Sequence, residues 1–360
     1  MGLLVLSSAA PIEGLTLDQH DPRFTREALC GFTIQPGAVG WECLNPAGER
    51  IANGTHRAVL SARSAAMIAS YGRGYVNLPA ATLGGKQYWA DELIRCGWRV
   101  QRNVKTGHYR LLDADDRRRA WRSFEACCAV LEERRVRLGL EWESDRLVVL
   151  LPGIVRSKDA LARLEADLRK AGYATMAVNY ASTQADLEAH ADQIQILLEH
   201  TPGMRQVSFV GHSLGGLVAR IVSARRPDGP MPGVSWGRCC MLFTPNQGAQ
   251  KADRWHDRWW YRQIFGPAGE SLTTANAAHI PKPAMPFAVI AGGRGDGQGR
   301  SWLIDGDDDG TVAVANTELD GMEDHQVFDV GHTFGMNDPA VRAAVLSYLA
   351  HGSLSPETVP

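Results

Sequence analysis

The sequence predicts an α/β fold, a mostly parallel sheet with helices on both faces, over residues 146–352. Short runs of almost uniformly apolar residues, such as 147–151 and 239–243, alternate there with amphipathic segments. A strand that is apolar throughout is typical of a parallel sheet, because helical crossovers cover both of its faces. A serine between glycines, where one apolar run meets the next amphipathic segment, is the second observation. Its position indicates a site at the carboxyl edge of the sheet.

Size and charge limit the classes of partner. The chain has 360 residues, 44% of them hydrophobic and 22% charged, which suffices for a large core in one enlarged domain or two. The formal net charge of -2 gives no electrostatic reason to expect a nucleic acid partner. No apolar run in the sequence has the length of a membrane-spanning helix. Nothing in the sequence indicates an oligomeric state.

Two features bear on the cellular compartment. The seven cysteines are odd in number and contain no C-x-x-C pair, so buried free thiols are favoured over a disulfide framework or a thiolate metal site. The first ten residues have a short apolar core but lack the basic segment of an export signal. The sequence therefore does not decide between a cytoplasmic and an exported protein.

The first 145 residues are less regularly patterned. Residues 1–83 are rich in Ala, Gly, Ser and Pro and are predicted to be poorly structured. Residues 84–145 are predicted to form a helix–hairpin–helix extension packed on the core, with a helix at 86–94, a hairpin over 98–112 and a charged helix over 115–137. Acidic residues are interspersed with the arginines of the last helix, which is typical of a solvated face.

The region from residue 146 onward alternates strand with helix. Strands are predicted at 147–151, 173–180, 206–210, 239–243, 286–291 and 326–330, and helices at 159–171, 187–199, 217–222 and 339–351. The sequence therefore predicts one α/β domain over 146–352 and a short tail at 353–360.

The serine at the strand–helix junction has the context of an activated nucleophile. Gly211-His212-Ser213-Leu214-Gly215 follows an apolar run and precedes an amphipathic helix. A sharp turn there would expose the serine oxygen, and glycines two residues before and after it prevent a collision between strand and helix. A serine hydroxyl needs a histidine to remove its proton and a carboxylate to orient that histidine.

Two later loops contain candidates for the base and the acid. His332 follows the last predicted strand and is the candidate base, because His325 begins that strand at the opposite edge of the sheet and the side chain of His212 is directed away from the serine. Four aspartates crowd the other loop, residues 305–309. Asp309 is favoured as the acid because a glycine and then an apolar anchor follow it, and Asp307 is the alternative. A calcium site there has too few oxygen ligands at defined spacing.

Two backbone N–H groups are needed to stabilise the oxyanion that forms when a serine attacks a carbonyl group. One is predicted to come from Leu214, the residue after the serine. The other is predicted to come from Ile154, in the loop after the first strand of the domain. Gly153 permits close approach there, and Pro152 has no N–H to donate.

An aromatic segment, residues 249–284, interrupts the alternation of strands and helices. It contains the candidate substrate-binding residues Trp255, Trp259, Trp260 and Phe265. Two interpretations remain open, a cap over an apolar pocket and an additional helix that packs on the core.

Taken as an ordered set, five short motifs resemble those of bacterial α/β-hydrolases of the lipase and esterase type. They are Leu-Pro-Gly-Ile, Gly-His-Ser-Leu-Gly-Gly, Thr-Pro-Asn-Gln-Gly, Gly-Asp-Asp-Asp-Gly-Thr-Val and a late Gly-His-Thr. The resemblance covers about residues 146–352 and implies an α/β-hydrolase catalytic domain that cleaves carboxylic esters through an acyl-enzyme. It also implies Ser213, Asp309 and His332 as the catalytic triad. Many members have His-Gly where this chain has Pro152-Gly153.

Several functions share these motifs. The leading hypothesis is an esterase or lipase that acts on a small-molecule or lipid ester, with no cofactor and no metal. A thioesterase, an amidase or a polyester hydrolase would use the same triad. A catalytically silent protein of this fold that binds a lipid is the alternative from another class. A metal-dependent hydrolase has little support, because the sequence lacks a His-Glu-x-x-His motif or a tight His/Cys cluster.

Overall fold

Two antiparallel sheets precede the parallel one. The computed structural model describes residues 26–72, 86–140 and 144–355. Its first sheet contains β1 (Glu27–Leu29), β2 (Phe32–Pro36), β3 (Trp41–Leu44) and β4 (Arg50–Gly54). Neighbouring strands pair in sequence order, and every pair is antiparallel. Helix α1 (His56–Tyr71) follows, and the side chain of Thr55 caps it by accepting a hydrogen bond from the N–H of Ala58.

The second sheet is also antiparallel and is followed by a helix. It contains β5 (Trp89–Arg95), β6 (Trp98–Asn103), β7 (Tyr109–Leu112) and β8 (Arg118–Arg122), and α2 (Phe124–Leu138) comes next. Both sheets and both helices contribute to one apolar core, which includes Leu29, Met67, Leu93, Leu111 and Leu131. We call residues 26–138 the N-terminal half.

Three predictions for the N-terminal half are wrong. Residues 27–71 form a sheet and a helix rather than a poorly structured segment. Residues 89–95 form strand β5 rather than a helix, and residues 118–122 form strand β8 rather than the start of a long helix. The predicted helix–hairpin–helix extension is therefore a four-stranded sheet followed by one helix, although its hairpin is present as β6 and β7. The predictions for residues 1–25, 73–85, 141–143 and 356–360 lie outside the described residues.

Buried polar side chains account for these differences. In β5, Asp91 and Arg95 are as buried as their apolar neighbour Leu93, so the strand lacks the two-residue alternation of polar and apolar residues. In β8, Ala120 is the one buried residue, and the exposed Trp121 beside it breaks the alternation of polar and apolar residues. Strands of three to five residues, as in the first sheet, are also too short to show a period reliably.

The remainder of the described chain builds a six-stranded parallel sheet. In chain order its elements are β9 (Arg146–Leu151), α3 (Ala162–Lys170), β10 (Ala174–Ala177), α4 (Leu187–Glu199), β11 (Gln206–His212), α5 (Leu214–Arg225), β12 (Ser235–Leu242), α6 (Gln250–Trp255), α7 (Trp259–Glu270), α8 (Thr274–Ala277), β13 (Phe287–Gly292), α9 (Val314–Thr317), β14 (Asp324–Phe328) and α10 (Pro339–His351). Short 3-10 helices occupy Lys158–Leu161 and Gly335–Asn337. We call residues 144–355 the C-terminal half.

All strand pairs of this sheet are parallel, and the strand order is β10-β9-β11-β12-β13-β14. One face packs against α4 and α5 through residues such as Ile194 and Leu217, and the other packs against α3 and α10 through residues such as Leu164 and Val345. The sheet is thus covered on both faces, as the apolar strands predict. A sheet of this order with a serine at the β11–α5 junction is an α/β-hydrolase fold.

A buried aspartate joins the two halves. Oδ2 of Asp91, on β5, accepts hydrogen bonds from Arg99 Nη1 at 2.7 Å and from the backbone N–H of Asn179 at 2.6 Å. Oδ1 of Asp91 accepts a third hydrogen bond from Gln101. Gln193 on α4 donates to the backbone carbonyl of Asp91. The second antiparallel sheet is therefore anchored beside β10, whose following loop contributes to the site described below.

Neither the cysteines nor the helices of the described chain indicate an extracellular scaffold or a membrane span. No disulfide joins any of the seven cysteines, which all lie within the described residues, and five of them are buried. No helix among residues 26–72, 86–140 and 144–355 is both long and apolar enough to cross a bilayer.

Candidate active site

Ser213 lies in a strained turn between β11 and α5. Its φ of 53° and ψ of -119° fall in a region that residues other than glycine rarely occupy. A Cβ atom at position 211 would lie 2.4 Å from the backbone nitrogen of Gly216, and one at position 215 would lie 2.2 Å from the carbonyl oxygen of Leu151. The two glycines of the motif are therefore required by contacts with backbone atoms, as the sequence predicts.

His332 contacts Ser213 with one ring nitrogen and Asp309 with the other. The distance from His332 Nε2 to Ser213 Oγ is 3.0 Å, and that from His332 Nδ1 to Asp309 Oδ2 is 2.7 Å. The carboxylate can only accept, so Nδ1 carries the proton and Nε2 is free to accept the serine proton. The backbone N–H of His332 also donates to the carbonyl oxygen of Asp309 at 2.9 Å, which fixes the two loops together.

The aspartates of the acidic loop have different hydrogen-bond partners. Asp309 is 3% exposed, and its Oδ1 accepts from the backbone N–H groups of Thr311 and Val312, which leaves Oδ2 directed at His332. Asp307 accepts from the backbone N–H groups of Arg294 and Gly295, and Asp308 from those of Arg300, Ser301 and Gly310. The structure thus brings Asp309, and not Asp307, to the histidine.

Metal binding has no support in this loop. No group of three or more His, Cys, Asp or Glu side chains among the described residues is arranged to hold a metal ion. The carboxylates of Asp307 and Asp308 already accept hydrogen bonds from backbone N–H groups, and these bonds order the loop.

His212 borders the serine pocket, and its ring is hydrogen-bonded to the backbone of His332 rather than to Ser213. Its ring is 2% exposed and packs against the rings of Phe243 and His332, with centroids 5.9 and 5.2 Å away. Its Nε2 donates to the carbonyl oxygen of His332 at 3.0 Å. Burial, together with the nearby His332 and Arg156, lowers the pKa of His212 to about 3. His212 therefore stays neutral and supports the loop of His332, a role that the sequence pattern did not reveal.

The loop after β9 is held in place by the segment after β10. The hydroxyl of Tyr180 donates to the carbonyl oxygen of Pro152, and Ser182 Oγ accepts from the N–H of Val155 at 2.9 Å. Val155 has a φ of 60°, a strained value for a β-branched residue. These partners of the loop were not predicted.

The two predicted oxyanion donors are both free of protein acceptors. The N–H groups of Ile154 and Leu214 donate to no backbone or side-chain atom within the described residues, whereas the N–H of Val155, the residue after Ile154, donates to Ser182 Oγ. Ile154 borders the same pocket as Ser213, and Leu214 begins α5 directly behind the serine. A free N–H on each side of the serine is the arrangement that an oxyanion site needs.

Helices α6 and α7 wall a pocket of about 370 Å³ that opens onto Ser213. The predicted residues Trp255, Trp260 and Phe265 line it. Trp259 does not, because its side chain is 78% exposed on the outer face of α7, so its assignment to the substrate pocket is wrong. Tyr261, another aromatic residue of segment 249–284, lines it too. Residues that sequence reasoning missed also line the pocket: Arg156, Lys251, Ile264, Leu272 and Thr311.

Helix α7 is broken at Gly266, where the cap bends back toward the sheet. Gly266 has a φ of 61°, and Pro267 follows it. A Cβ atom there would lie 1.8 Å from the carbonyl oxygen of Thr183, in the segment after β10. The close approach of Gly266 to this segment therefore helps to position Trp260, Tyr261 and Phe265, which line the pocket of Ser213.

The fold defines the class of protein: the chain has an α/β-hydrolase fold, with a serine, a histidine and an aspartate hydrogen-bonded in series at the carboxyl edge of its sheet. Residues 141–243 match the model of the family described as "Putative serine esterase (DUF676)". That match contains Ser213 and Ile154 and ends before Asp309 and His332. No curated protein matches the sequence.

Solved structures of several bacterial hydrolases resemble the chain. A lipase from Bacillus licheniformis in its mature form is 19% identical, with 53% of this chain and 86% of that chain covered and a TM-score of 0.43. A phospholipase from Legionella pneumophila is 14% identical, with 57% of each chain covered and a TM-score of 0.43. A thermophilic esterase from Thermogutta terrifontis is 16% identical, with 57% and 89% covered and a TM-score of 0.40.

Proposed function

We propose that this protein hydrolyses carboxylic esters through an acyl-enzyme, with Ser213 as nucleophile, His332 as base and Asp309 as the acid that orients it. The observation that carries the proposal is the pair of hydrogen bonds from one imidazole, at 3.0 Å to Ser213 and 2.7 Å to Asp309. This geometry supports transfer of the serine proton to a histidine whose tautomer is already set.

The reaction begins when His332 Nε2 removes the proton from Ser213 as Oγ bonds to the ester carbonyl carbon. The carbonyl oxygen becomes an oxyanion that accepts hydrogen bonds from the N–H groups of Ile154 and Leu214. When the intermediate collapses, the carbon–oxygen bond to the alcohol breaks, and the alcohol leaves with the proton held by His332. Water then attacks the acyl-enzyme by the same route and releases the carboxylic acid.

The pocket favours an ester with an apolar acyl part. The side chains of Trp255, Trp260, Tyr261, Phe265 and Leu272 form one continuous wall beside the serine. Burial of a short alkyl chain against such a wall contributes about 0.8 kcal/mol per methylene. Thioesters and amides would react through the same groups, and a substrate panel of matched acyl chains separates these reactions.

The test is covalent labelling and turnover in matched variants. We expect a fluorophosphonate probe to label Ser213 and p-nitrophenyl esters to be hydrolysed. The Ser213→Ala variant should lose labelling and at least about 10⁴-fold in kcat. Ser235→Ala, at an exposed serine that begins β12, is the matched control and should keep both. An unlabelled, folded wild-type protein would instead indicate a catalytically silent binding protein.

A further inference from the structure

An arginine without a carboxylate partner lines the catalytic pocket. Arg156 follows the predicted oxyanion donor Ile154 by two residues and is half-buried. In the described part of the chain its guanidinium forms no ion pair, and its side-chain contact is with the ring of Phe334, 5.5 Å from the guanidinium carbon to the centroid. On the next loops of the same edge, Arg294 pairs with Asp296 and Arg300 with Asp329. Arg156 thus differs from these two arginines in keeping an uncompensated charge at the serine pocket.

The charge of the pocket has one sign. A second cation, Lys251 on α6, also lines it and donates from Nζ to the carbonyl oxygen of Gly310 at 2.6 Å. Among the described residues that line the pocket, none is an aspartate or a glutamate. Asp309 lies behind His332 with a fully buried carboxylate, so it does not neutralise the opening. A pocket of aromatic walls and uncompensated cations is complementary to a substrate that is apolar at one end and anionic at the other.

The position of Arg156 indicates which end of the ester is anionic. The aromatic wall from α6 and α7 accommodates the acyl chain, as argued above. Phe334, on which Arg156 rests, lies two residues beyond His332, the group that gives its proton to the departing alcohol. The guanidinium thus lines the serine pocket and also contacts the loop of the proton donor, a position that suits an anion on the leaving alcohol.

We propose that the substrates of this site are carboxylic esters whose alcohol part carries a phosphate or a carboxylate, which Arg156 binds. The inference rests on the proposed ester hydrolysis and names its substrate class. A guanidinium suits this role because its planar fork donates two parallel hydrogen bonds to either anion, and the nearby aromatic ring limits its orientations. Desolvation by the aromatic wall strengthens such a bond relative to one in open water.

The experiment compares charged and neutral members of two substrate pairs. One pair is 4-carboxyphenyl butyrate and 4-carbamoylphenyl butyrate, and the other is 1-butyrylglycerol 3-phosphate and 1-butyrylglycerol. We expect the wild-type protein to prefer the charged member by about 10-fold or more in kcat/KM, the range for a hydrogen bond to a charged group. A preference in one pair alone identifies the anion as carboxylate or phosphate. The preference should decrease as salt is raised.

Three variants separate the role of Arg156 from general damage. The ratio of charged to neutral kcat/KM should fall to about 1 in Arg156→Gln and recover partly in Arg156→Lys, because lysine keeps the charge but not the fork. Arg262→Gln, an exposed cap arginine paired with Glu270, is the matched control and should keep the wild-type ratio. Since each ratio compares two substrates of one preparation, it does not depend on the folded fraction.

Each outcome bears on one proposal or both. Equal kcat/KM for both members in the wild type, or a ratio unchanged in Arg156→Gln, overturns the anion site and leaves ester hydrolysis intact. Cleavage of p-nitrophenyl esters with no turnover of any of the four esters also overturns the anion site. Failure to turn over any ester overturns both proposals.

Discussion

The two halves of the described chain bury charged side chains in different ways. In the N-terminal half, Arg63, at 0% exposure, binds Glu132 at 2.7 Å and Glu27 at 2.8 Å, and Arg135 binds Glu27 at 2.9 Å. This network connects β1, α1 and α2 through the middle of their core. In the C-terminal half the buried strand residues at the centre of the sheet are mostly apolar, and the buried carboxylate of Asp309 faces His332 at the carboxyl edge.

The difference separates stability from chemistry. Removing one member of a buried ion pair leaves an uncompensated charge, which typically costs 3–5 kcal/mol, so the N-terminal network constrains the fold itself. At the edge of the parallel sheet the buried carboxylate of Asp309 orients His332. The strands there are already held by apolar packing. We therefore expect charge removal to reduce stability in one half and kcat in the other.

The largest expected effect concerns the acid at the edge of the sheet. Asp309→Asn should lower kcat by about 10⁴-fold, because a neutral amide does not hold the His332 tautomer in which Nε2 accepts the serine proton. The free energy of unfolding of this variant should stay close to the wild-type value, in contrast to its kcat. Steady-state kinetics on a p-nitrophenyl ester, with urea denaturation of the same samples, measure both quantities.

Asp307→Asn is the matched control for that prediction. Asp307 accepts hydrogen bonds from the N–H groups of Arg294 and Gly295, and an asparagine oxygen can keep one of them. We expect kcat within a few-fold of wild type. A larger loss in Asp307→Asn than in Asp309→Asn would reverse the assignment of the acid.

The next effect is on stability and belongs to the N-terminal half. Glu132→Ala should lower the free energy of unfolding by about 3–5 kcal/mol, since it leaves Arg63 buried beside one carboxylate instead of two. The kcat per folded molecule, counted by fluorophosphonate labelling, should be retained. Asp192→Ala breaks an exposed pair with Arg225 and should cost less than about 1 kcal/mol. Equal costs in the two variants would remove the contrast between the halves.

The smallest effect is a pH dependence within the C-terminal half. Burial lowers the pKa of His190 to about 4 and is the main cause that lowers the pKa of His212 to about 3. An unfolded histidine has a pKa of about 6.5. Between pH 6.5 and about 4 the unfolded chain therefore binds protons that the native chain does not, and stability falls as the pH is lowered. The slope is up to about 1.4 kcal/mol per pH unit for each histidine.

Urea denaturation at pH 7, 6 and 5 measures this slope. We expect it to be smaller in His190→Gln, which removes one of the two buried imidazoles, and unchanged in His351→Gln, where the histidine is exposed at the end of α10. Parallel slopes in all three proteins would show that carboxylates, and not these histidines, govern the acid response.

The parallel sheet could be predicted because its apolar strands are recognisable within short segments of sequence. Residues 147–151 of β9 form an uninterrupted apolar run, and Val312, the expected anchor after the acidic loop, is 1% exposed. The same reasoning failed in β5, because the buried Asp91 is stabilised by Arg99 on the neighbouring strand and by the backbone N–H of Asn179, 88 residues away. Local pattern cannot show a partner at that distance.

The candidate site also contains residues that local sequence reveals and residues that it does not. Ser213 and His332 were recognisable because a steric turn and a strand end fix them, and their geometry is as expected, although their catalytic role stays a prediction. His212, Tyr180 and Arg156 were missed as contributors because each acts through a contact with another loop. Trp259 and Trp260 are adjacent on a helix and therefore face different directions, which the aromatic composition of the segment does not reveal.

The break in α7 at Gly266 has a consequence for redesign of the pocket. Tyr261, Ile264 and Phe265 precede the break, and their side chains can be exchanged to lengthen or shorten the acyl site. Gly266 itself has no such freedom, because any side chain would meet the Thr183 carbonyl oxygen. A mutational library of the cap should therefore hold this position constant and vary its neighbours. Substrate range can then change while the register of the cap over Ser213 is preserved.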